Sequence, residues 1–281
     1  MAQKSFLIFH NPQVARSEEL ANAIDASLRT THGCRSECTT LAAAEERARL
    51  PAPDMLIAVG GDGTMLRVSR LGAQLGCPVL GINLGRVGFL LEVPEAEWPA
   101  ALLRVLAGDY WLEPRMLVYA EHMRAGVCLG AHHALNEVVI TRGALARPMR
   151  LKTAIDGSAL GTYIADGLIV ASPTGSTAYA LAAGGPILPP TLRNIVLIPV
   201  APHLSIERAI VLAEGAGITI NVRIDHPAIL SADGQVEVEL RDGDQICVRA
   251  SPRDASFVRL QDAAYFYRNL GARLARKESL Q

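Results

Sequence analysis

The chain has no run of basic residues and no long apolar stretch, and those two gaps narrow its function sharply. Lys and Arg number 27 against 28 Asp and Glu, for a net charge of −1. The basic residues are scattered, so none of them form a row that could neutralise several phosphates, and nucleic acid is not an expected partner. The apolar runs are short, Phe6 to Phe9 near the start and Ile195 to Ile198 later. A signal peptide needs roughly 7–15 apolar residues and a membrane helix about 20, so neither export nor a membrane is expected. Cysteine is scarce and unpatterned. Cys34, Cys38, Cys77, Cys128 and Cys247 make an odd set without a repeated metal-ligand pair, which fits reduced thiols in the cytoplasm. Internal repeats, low-complexity tracts and disordered linkers are missing as well.

What is present is an ordinary globular composition, half hydrophobic and one fifth charged, over 281 residues. That length suits one large or two medium domains. The first hundred residues alternate between two periods. Phe6–Phe9, Met55–Val59 and Pro78–Ile82 read as buried strands. Helices are expected from Ser17, as cap, through Leu28, over Leu41–Leu50 up to Pro51, from Thr64 to Leu75, and near Glu95–Leu106. Strands alternating with helices predict a parallel sheet. After Pro114 the pattern changes to short β-branched runs at Glu137–Thr141, Leu168–Ala171, Ile195–Val200, Ile218–Ile224, Val236–Leu240 and Gln245–Arg249. Asp156-Gly157, Asp233-Gly234 and Asp242-Gly243 mark turns among them. An Ala-rich helical stretch at Ser176–Ala183 interrupts the β pattern, and Gln261–Lys277 reads as a last helix. The predicted class is α/β + β: an N-terminal α/β domain with a parallel sheet (1–114), a central β-rich, sandwich-like domain (115–255), and a C-terminal helical segment (256–281) returning to the first.

The most informative segment is Val59-Gly60-Gly61-Asp62-Gly63-Thr64, between an apolar strand and a helix. Glycines at 60, 61 and 63 let backbone N–H groups approach a ligand with no Cβ in the way, and N–H groups at a helix start favour phosphate. A carboxylate in such a cradle is repulsive unless a metal or a donating hydroxyl intervenes, so Asp62 is the candidate to engage Mg²⁺ or an attacking alcohol. The structural alternative is a tight turn in which Asp62 tolerates a left-handed backbone and Thr64 caps the helix. The segment is neither a dinucleotide GxGxxG nor a Walker loop.

Further segments extend the pattern. Asn83-Leu84-Gly85-Arg86-Val87-Gly88-Phe89-Leu90 follows the third strand, and Asn136-Glu137 heads an apolar strand. Ala165-Asp166-Gly167 leads through Pro173-Thr174-Gly175-Ser176-Thr177-Ala178-Tyr179 to Gly184-Gly185-Pro186. Pro202-His203 and Ser231-Ala232-Asp233-Gly234-Gln235 complete the set. Asn136 and Glu137 can bind a vicinal diol, one donating and one accepting, or can simply meet solvent at a strand end. Tyr179 can lie against a base or belong to the core, and Asp166 can be a turn aspartate.

In this order, over roughly residues 55–270, these segments resemble bacterial NAD kinases. The resemblance implies phosphoryl transfer from ATP, or polyphosphate, to the 2′-hydroxyl of the adenosine ribose of NAD, with a divalent cation, Mg²⁺ in the first instance. It implies that Asp62 handles the reacting hydroxyl, that Gly60, Gly61, Gly63 and Thr64 meet phosphates, and that Asn136, Glu137, Asp166, Thr174, Thr177, Ala178 and Tyr179 line the NAD site. No metal ligand is assigned, and a homodimer or homotetramer is expected. Departures from the family pattern fall at Ile164, Pro189 and Leu204–Ala209. A lipid kinase with the same turn, or a non-catalytic NAD or NADP sensor, is the alternative. The Asn136-Glu137 and Pro173–Tyr179 segments favour NAD over a lipid, and the intact glycine turn favours a catalyst.

Overall fold

The alternating first hundred residues become a parallel sheet with helices in a computed structural model, which describes residues 3–46, 52–85, 88–143, 147–203 and 206–278. The chain divides into two units, Met1–Pro114 with Ala255–Gln281, and Arg115–Asp254. In the first, β1 (Ser5–His10), β2 (Arg35–Thr39), β3 (Met55–Gly60) and β4 (Val79–Asn83) run parallel in the order β2-β1-β3-β4, and β5 (Val93–Pro94) adds to β4. Every residue of β3 and β4 is buried, as expected for a parallel sheet covered on both faces.

The helices follow the apolar spacing, with different ends from those the sequence suggests. Helix α1 is Ala15–Ala26, capped by Val14 without a side-chain bond, and a single π turn carries the chain to Thr31. Ser17 is buried one turn in, where its hydroxyl donates to Val59 O at 2.7 Å and accepts from Asn11 N at 2.9 Å. It ties the helix to the sheet instead of capping it. Helix α2 is Leu41–Glu46; the expected stop at Pro51 lies outside the described residues. Helix α3 (Asp62–Leu75) buries Met65, Leu66, Val68 and Ala73 and ends at Gly76, whose φ of 70° is the left-handed stop glycine favours. Helix α4 is Trp98–Ala107. No helix among the described residues is long and apolar enough to cross a membrane.

The unit boundary falls inside two long strands, β6 (Trp111–Arg124) and the last strand of the chain. Between them lie β7 (Val127–Ala134), β8 (Glu137–Arg142), β9 (Met149–Ile155), β10 (Ser158–Ala165), β11 (Gly167–Ala171), β12 (Asn194–Val200), β13 (Ile210–Ala213), β14 (Ile218–Arg223), β15 (Ala228–Ala232) and β16 (Val236–Leu240), and β17 is Gln245–Arg259. One antiparallel sheet has the order β13-β12-β11-β8-β15-β16. Strands β10, β9, β14 and the start of β17 form a second, as does the β6–β7 hairpin with β17. Alternate residues of both meet in one core, with Val138, Ile140, Leu168 and Leu230 facing Val118, Leu151, Ile220 and Ile246. This is the expected β-rich sandwich. Asp156-Gly157 and Asp233-Gly234 have positive φ at both residues, the hairpin geometry their composition favours. Ala125-Gly126 takes the same form, without an Asp or Asn to announce it.

The end of β17 returns to the α/β unit and pairs in parallel with β4 at Phe257 and Val79. Arg259, 1 % exposed, fixes that return. Its Nε donates to Glu113, its Nη1 donates to Leu90 O at 3.0 Å, and Glu92 lies 3.7 Å away. The guanidinium also sits 4.7 Å from the ring centre of Tyr265, whose hydroxyl donates to Glu113 at 3.1 Å. Tyr265 opens the final helix α6 (Tyr265–Glu278). Burial lifts the Glu92 carboxyl above its ordinary range, against the pull of Arg259. Removing the cation would strand two buried acids, so Arg259→Ala is expected to cost about 3–5 kcal/mol in urea unfolding. Adding Glu113→Gln should recover part of the loss. Additive losses would show that the two side chains do not act as a pair.

Candidate active site

The glycine turn sits where β3 ends and α3 begins. Gly61 is the helix cap, in an extended conformation with φ −105°. Gly60, Gly61, Asp62 and Gly63 all lie outside the positive-φ region, so the left-handed Asp62 considered from sequence does not occur. Thr64 does not cap the helix either. It is buried in the first turn, and its hydroxyl fills the place where a Cβ on Gly60 would sit, at 2.5 Å. Gly61 and Gly63 are exposed and open, since a Cβ on either would meet nothing within 4 Å. The three glycines therefore divide their work, one making room for Thr64 and two leaving the turn clear.

Asp62 is the first residue of α3, half-buried, at the end of the helix that favours negative charge. Its Oδ2 accepts from Phe89 N at 2.9 Å and its Oδ1 from Leu90 N at 3.3 Å. The Asn83–Leu90 segment is thus what aims the carboxylate. Asn83 shapes the start of that segment through bonds with Gly85; Arg86 and Val87 lie outside the described residues.

In the second unit, Asn136 and Glu137 stand at the entry to β8. Asp233, just past β15, accepts from three consecutive backbone N–H groups there, Leu135 at 2.9 Å, Asn136 at 2.8 Å and Glu137 at 3.2 Å. The hydroxyl of Ser172 donates to Leu135 O and accepts from Gly175 N. Gly175 packs so closely that a Cβ on it would fall within 3.0 Å of the Asn136 backbone. These contacts press the Thr174–Thr177 turn, a single 3-10 turn, against the Asn136-Glu137 corner, and the one-turn helix α5 (Tyr179–Ala182) follows. The Tyr179 N–H bonds the Glu137 carboxyl. The Tyr179 side chain is 43 % exposed, so it is not a core residue.

Glu137 is 7 % exposed and its Oε2 has no hydrogen-bond partner. Burial, together with the nearby Asp233 charge, pushes its carboxyl up to about 8, against the single N–H bond from Tyr179. A neutral acid can both donate and accept, which suits a hydroxyl pair. Thr174 is buried and its hydroxyl accepts from Arg115 at 3.2 Å. Thr177 donates back to Thr174 O, and Thr177 and Ala178 are half-buried at the surface of the turn.

Asp166 is set apart from this group. Strand β8 pairs with β11 so that Glu137 faces Ala171 and Thr141 faces Gly167. Asp166 therefore belongs to the far end, about 17 Å from Glu137 along the strand. There it forms an ion pair with Arg142 at 3.0 Å. Within one chain the register of β8 and β11 therefore separates it from Asn136 and Tyr179. Sequence reasoning also missed the roles of Asp233, Ser172 and Arg115. Asp233-Gly234 is visible in the sequence as a turn, but not the three amides its carboxylate collects.

Among the described residues no three His, Cys, Asp or Glu side chains converge as a metal-binding set. All five cysteines are free thiols.

A glycine turn between strand and helix that holds its own acid and, in a separate unit, a buried acid beside a hydroxyl-rich turn suit a small-molecule kinase. The family description ATP-NAD kinase N-terminal domain matches residues 6–110, and ATP-NAD kinase C-terminal domain matches residues 135–260. An NAD kinase of Chloroflexus aurantiacus is 42 % identical over 275 residues, covering 96 % of this chain and 98 % of its own. One from Chloroflexus aggregans is 46 % identical over 223 residues, covering 79 % and 81 %. Among solved structures, an Archaeoglobus fulgidus NAD kinase in complex with ATP is 26 % identical, covers 96 % of this chain and 98 % of its own, and has a TM-score of 0.68. A yeast NADH kinase complexed with NADH shares the fold at a TM-score of 0.83 and 24 % identity, covering 97 % and 88 %. The chain belongs to the ATP-NAD kinase family.

The Glu137 environment has a measurable consequence. Its carboxyl is raised from 4.5 to about 8 in the folded protein, so its contribution to stability is whole below the lower value and is lost as pH rises through the upper one. Glu137→Gln does not titrate. The variant's melting temperature should therefore gain on the parent's steadily between about pH 5 and about pH 9. A constant difference across that window would mean that Glu137 is not held neutral.

Proposed function

We propose that this chain phosphorylates the 2′-hydroxyl of the adenosine ribose of NAD, using ATP as donor. The observation that carries the reading is the Asp62 carboxylate, fixed by two backbone N–H groups at the start of α3 between two open glycines. Family membership, relatives named NAD kinase, and a relative solved with ATP support it.

The residues divide the task. Gly61, Gly63 and the first turn of α3, with Thr64 and Gly60 packed behind, present N–H groups to phosphate. Asn136 and Glu137 take the ribose hydroxyls, and Thr174, Thr177, Ala178 and Tyr179 form the adjoining wall of the dinucleotide site. Asp166, at the far end of β8 within one chain, would join that site only from a second subunit. A divalent cation, Mg²⁺ by preference, is proposed to arrive with the triphosphate, where it would neutralise charge on the transferring group; no residue here is assigned to it. Phosphoryl transfer has a loose transition state, so positioning and charge neutralisation do most of the work. A ribose hydroxyl is a weak acid, and Asp62 orients it and takes its proton late, a contribution of roughly 10²–10⁴-fold. The intact turn and its fixed acid weigh against a mere NAD sensor. The hydroxyl-rich Thr174–Tyr179 corner weighs against a lipid acceptor.

The test is an assay with ATP and NAD that detects NADP, on the parent and on Asp62→Asn. Turnover of the variant should fall by at least about 100-fold, while calorimetry still shows NAD binding. Both Asp62 oxygens accept from N–H groups, so asparagine must turn its own NH₂ toward one of them, and some loss of melting temperature is expected too. Near-normal turnover would remove Asp62 from the chemistry, and no NADP from the parent would remove the function.

We further propose a cytoplasmic homodimer or homotetramer. Free thiols at all five cysteines suit a reducing compartment. The β7 strand exposes Val127 and Leu129 beside an open strand edge, a feature commonly hidden by a second subunit. Light scattering at micromolar protein should give a multiple of the 30.0 kDa chain mass; a monomer mass would refute the assembly.

A further inference from the structure

We infer that Gly88 is a positioning residue for Asp62: the absence of a side chain at 88 is what lets the carboxylate point where it does. The inference rests on the assignment of Asp62 to the reacting hydroxyl. A Cβ built on Gly88 would meet Asp62 Oδ2, Cγ and Oδ1 as its three nearest atoms, all closer than 3.0 Å. The backbone itself does not require glycine there, because φ at Gly88 is not positive. The obstacle to a larger residue is therefore one carboxyl group.

That group has little freedom of its own. Asp62 is anchored at the first turn of α3, where Thr64 N and Met65 N bond Gly61 O at 3.0 and 3.1 Å. The remaining variable is the rotation of its side chain. Phe89 N and Leu90 N set that rotation by donating to the two oxygens, and the bare Cα of Gly88 leaves the space in which the carboxyl lies. A methyl at 88 would turn the carboxyl off both N–H groups while leaving the helix and the strand below it unaltered. Other glycines of the unit answer to different neighbours. Gly72 is crowded by Val79 and the Cys77 carbonyl, and Gly81 by Leu91 and Met65, which are packing constraints with no bearing on the acid.

A double-mutant cycle tests the inference, with parent, Gly88→Ala, Asp62→Ala and the double variant compared for turnover, the Michaelis constant for NAD, and melting temperature. Gly88→Ala in the parent should lower turnover toward the Asp62→Ala value, a fall of up to about 100-fold, with the Michaelis constant for NAD little changed and a modest drop in melting temperature. In the Asp62→Ala background the same substitution should cost neither turnover nor melting temperature, because the group it displaces is gone. Should Gly88→Ala fail to fold alone, a folded double variant supports the inference and an unfolded one overturns it. Losses that multiply in turnover and add in melting temperature overturn it, as does a Gly88→Ala protein indistinguishable from the parent. Normal turnover in Asp62→Ala would sink the catalytic reading instead, and the melting-temperature cycle would still report whether the two residues meet.

Discussion

A carboxylate taken out of water has to be met by donors, and in this protein the important ones are met largely by the main chain. Asp62 takes two backbone N–H groups and Asp233 takes three. The consequence is geometric. A carboxylate bound to consecutive amides fixes the backbone that carries them, and is fixed by it in return. At Asp233 this sets the path of Leu135–Glu137, hence the place of the Glu137 carboxyl and of the turn packed against it. At Asp62 it sets the direction of a single acid at the mouth of the glycine turn. Side-chain donors on long flexible stems would give the same charge balance with far looser placement.

The same constraint acts with a different result where arginines reach the interior. Arg259 is shared among Glu113, Leu90 O and the neighbouring Glu92, and holds the C-terminal return to the α/β unit. In the sandwich, burial works against the charge of Asp244, yet Arg124, the Arg241 N–H and His122 together hold its carboxyl well below the usual range. Glu137 receives no cation and one N–H bond, and its carboxyl is raised. Asp244 and Glu137 thus end in opposite states because their donors differ in number and charge. The one left under-supplied is the one that stands at the candidate acceptor site.

Much of the architecture was legible from pattern alone. The apolar runs at Phe6–Phe9, Met55–Val59 and Pro78–Ile82 are the parallel strands β1, β3 and β4, and the six β-branched runs all became strands. The misses have physical causes. Arg35–Thr39 is a polar edge strand with one covered side, so it shows no apolar run. Strand β6 carries Glu113, Pro114 and Arg115 near its start, which breaks the apolar pattern. Ala125-Gly126 turns a hairpin without the residues that normally mark one. Helix ends failed where tertiary bonds replaced caps, as at Ser17, which spends its hydroxyl on Val59 O.

The sequence by itself determined the class of fold, the glycine turn with its acid, and the family, because periodicity and short motifs are local and survive without the rest of the chain. Only the tertiary structure decided which motif residues meet. Asp166 and Asn136 look equivalent as strand-end polar residues, and the register of β8 against β11 sends them to opposite ends. Asp62 and Phe89 are 27 positions apart in the chain, and Asp233 and Leu135 are 98 apart. Their pairing is a matter of which backbone amides a buried carboxylate finds after folding, and amides carry no mark in the sequence.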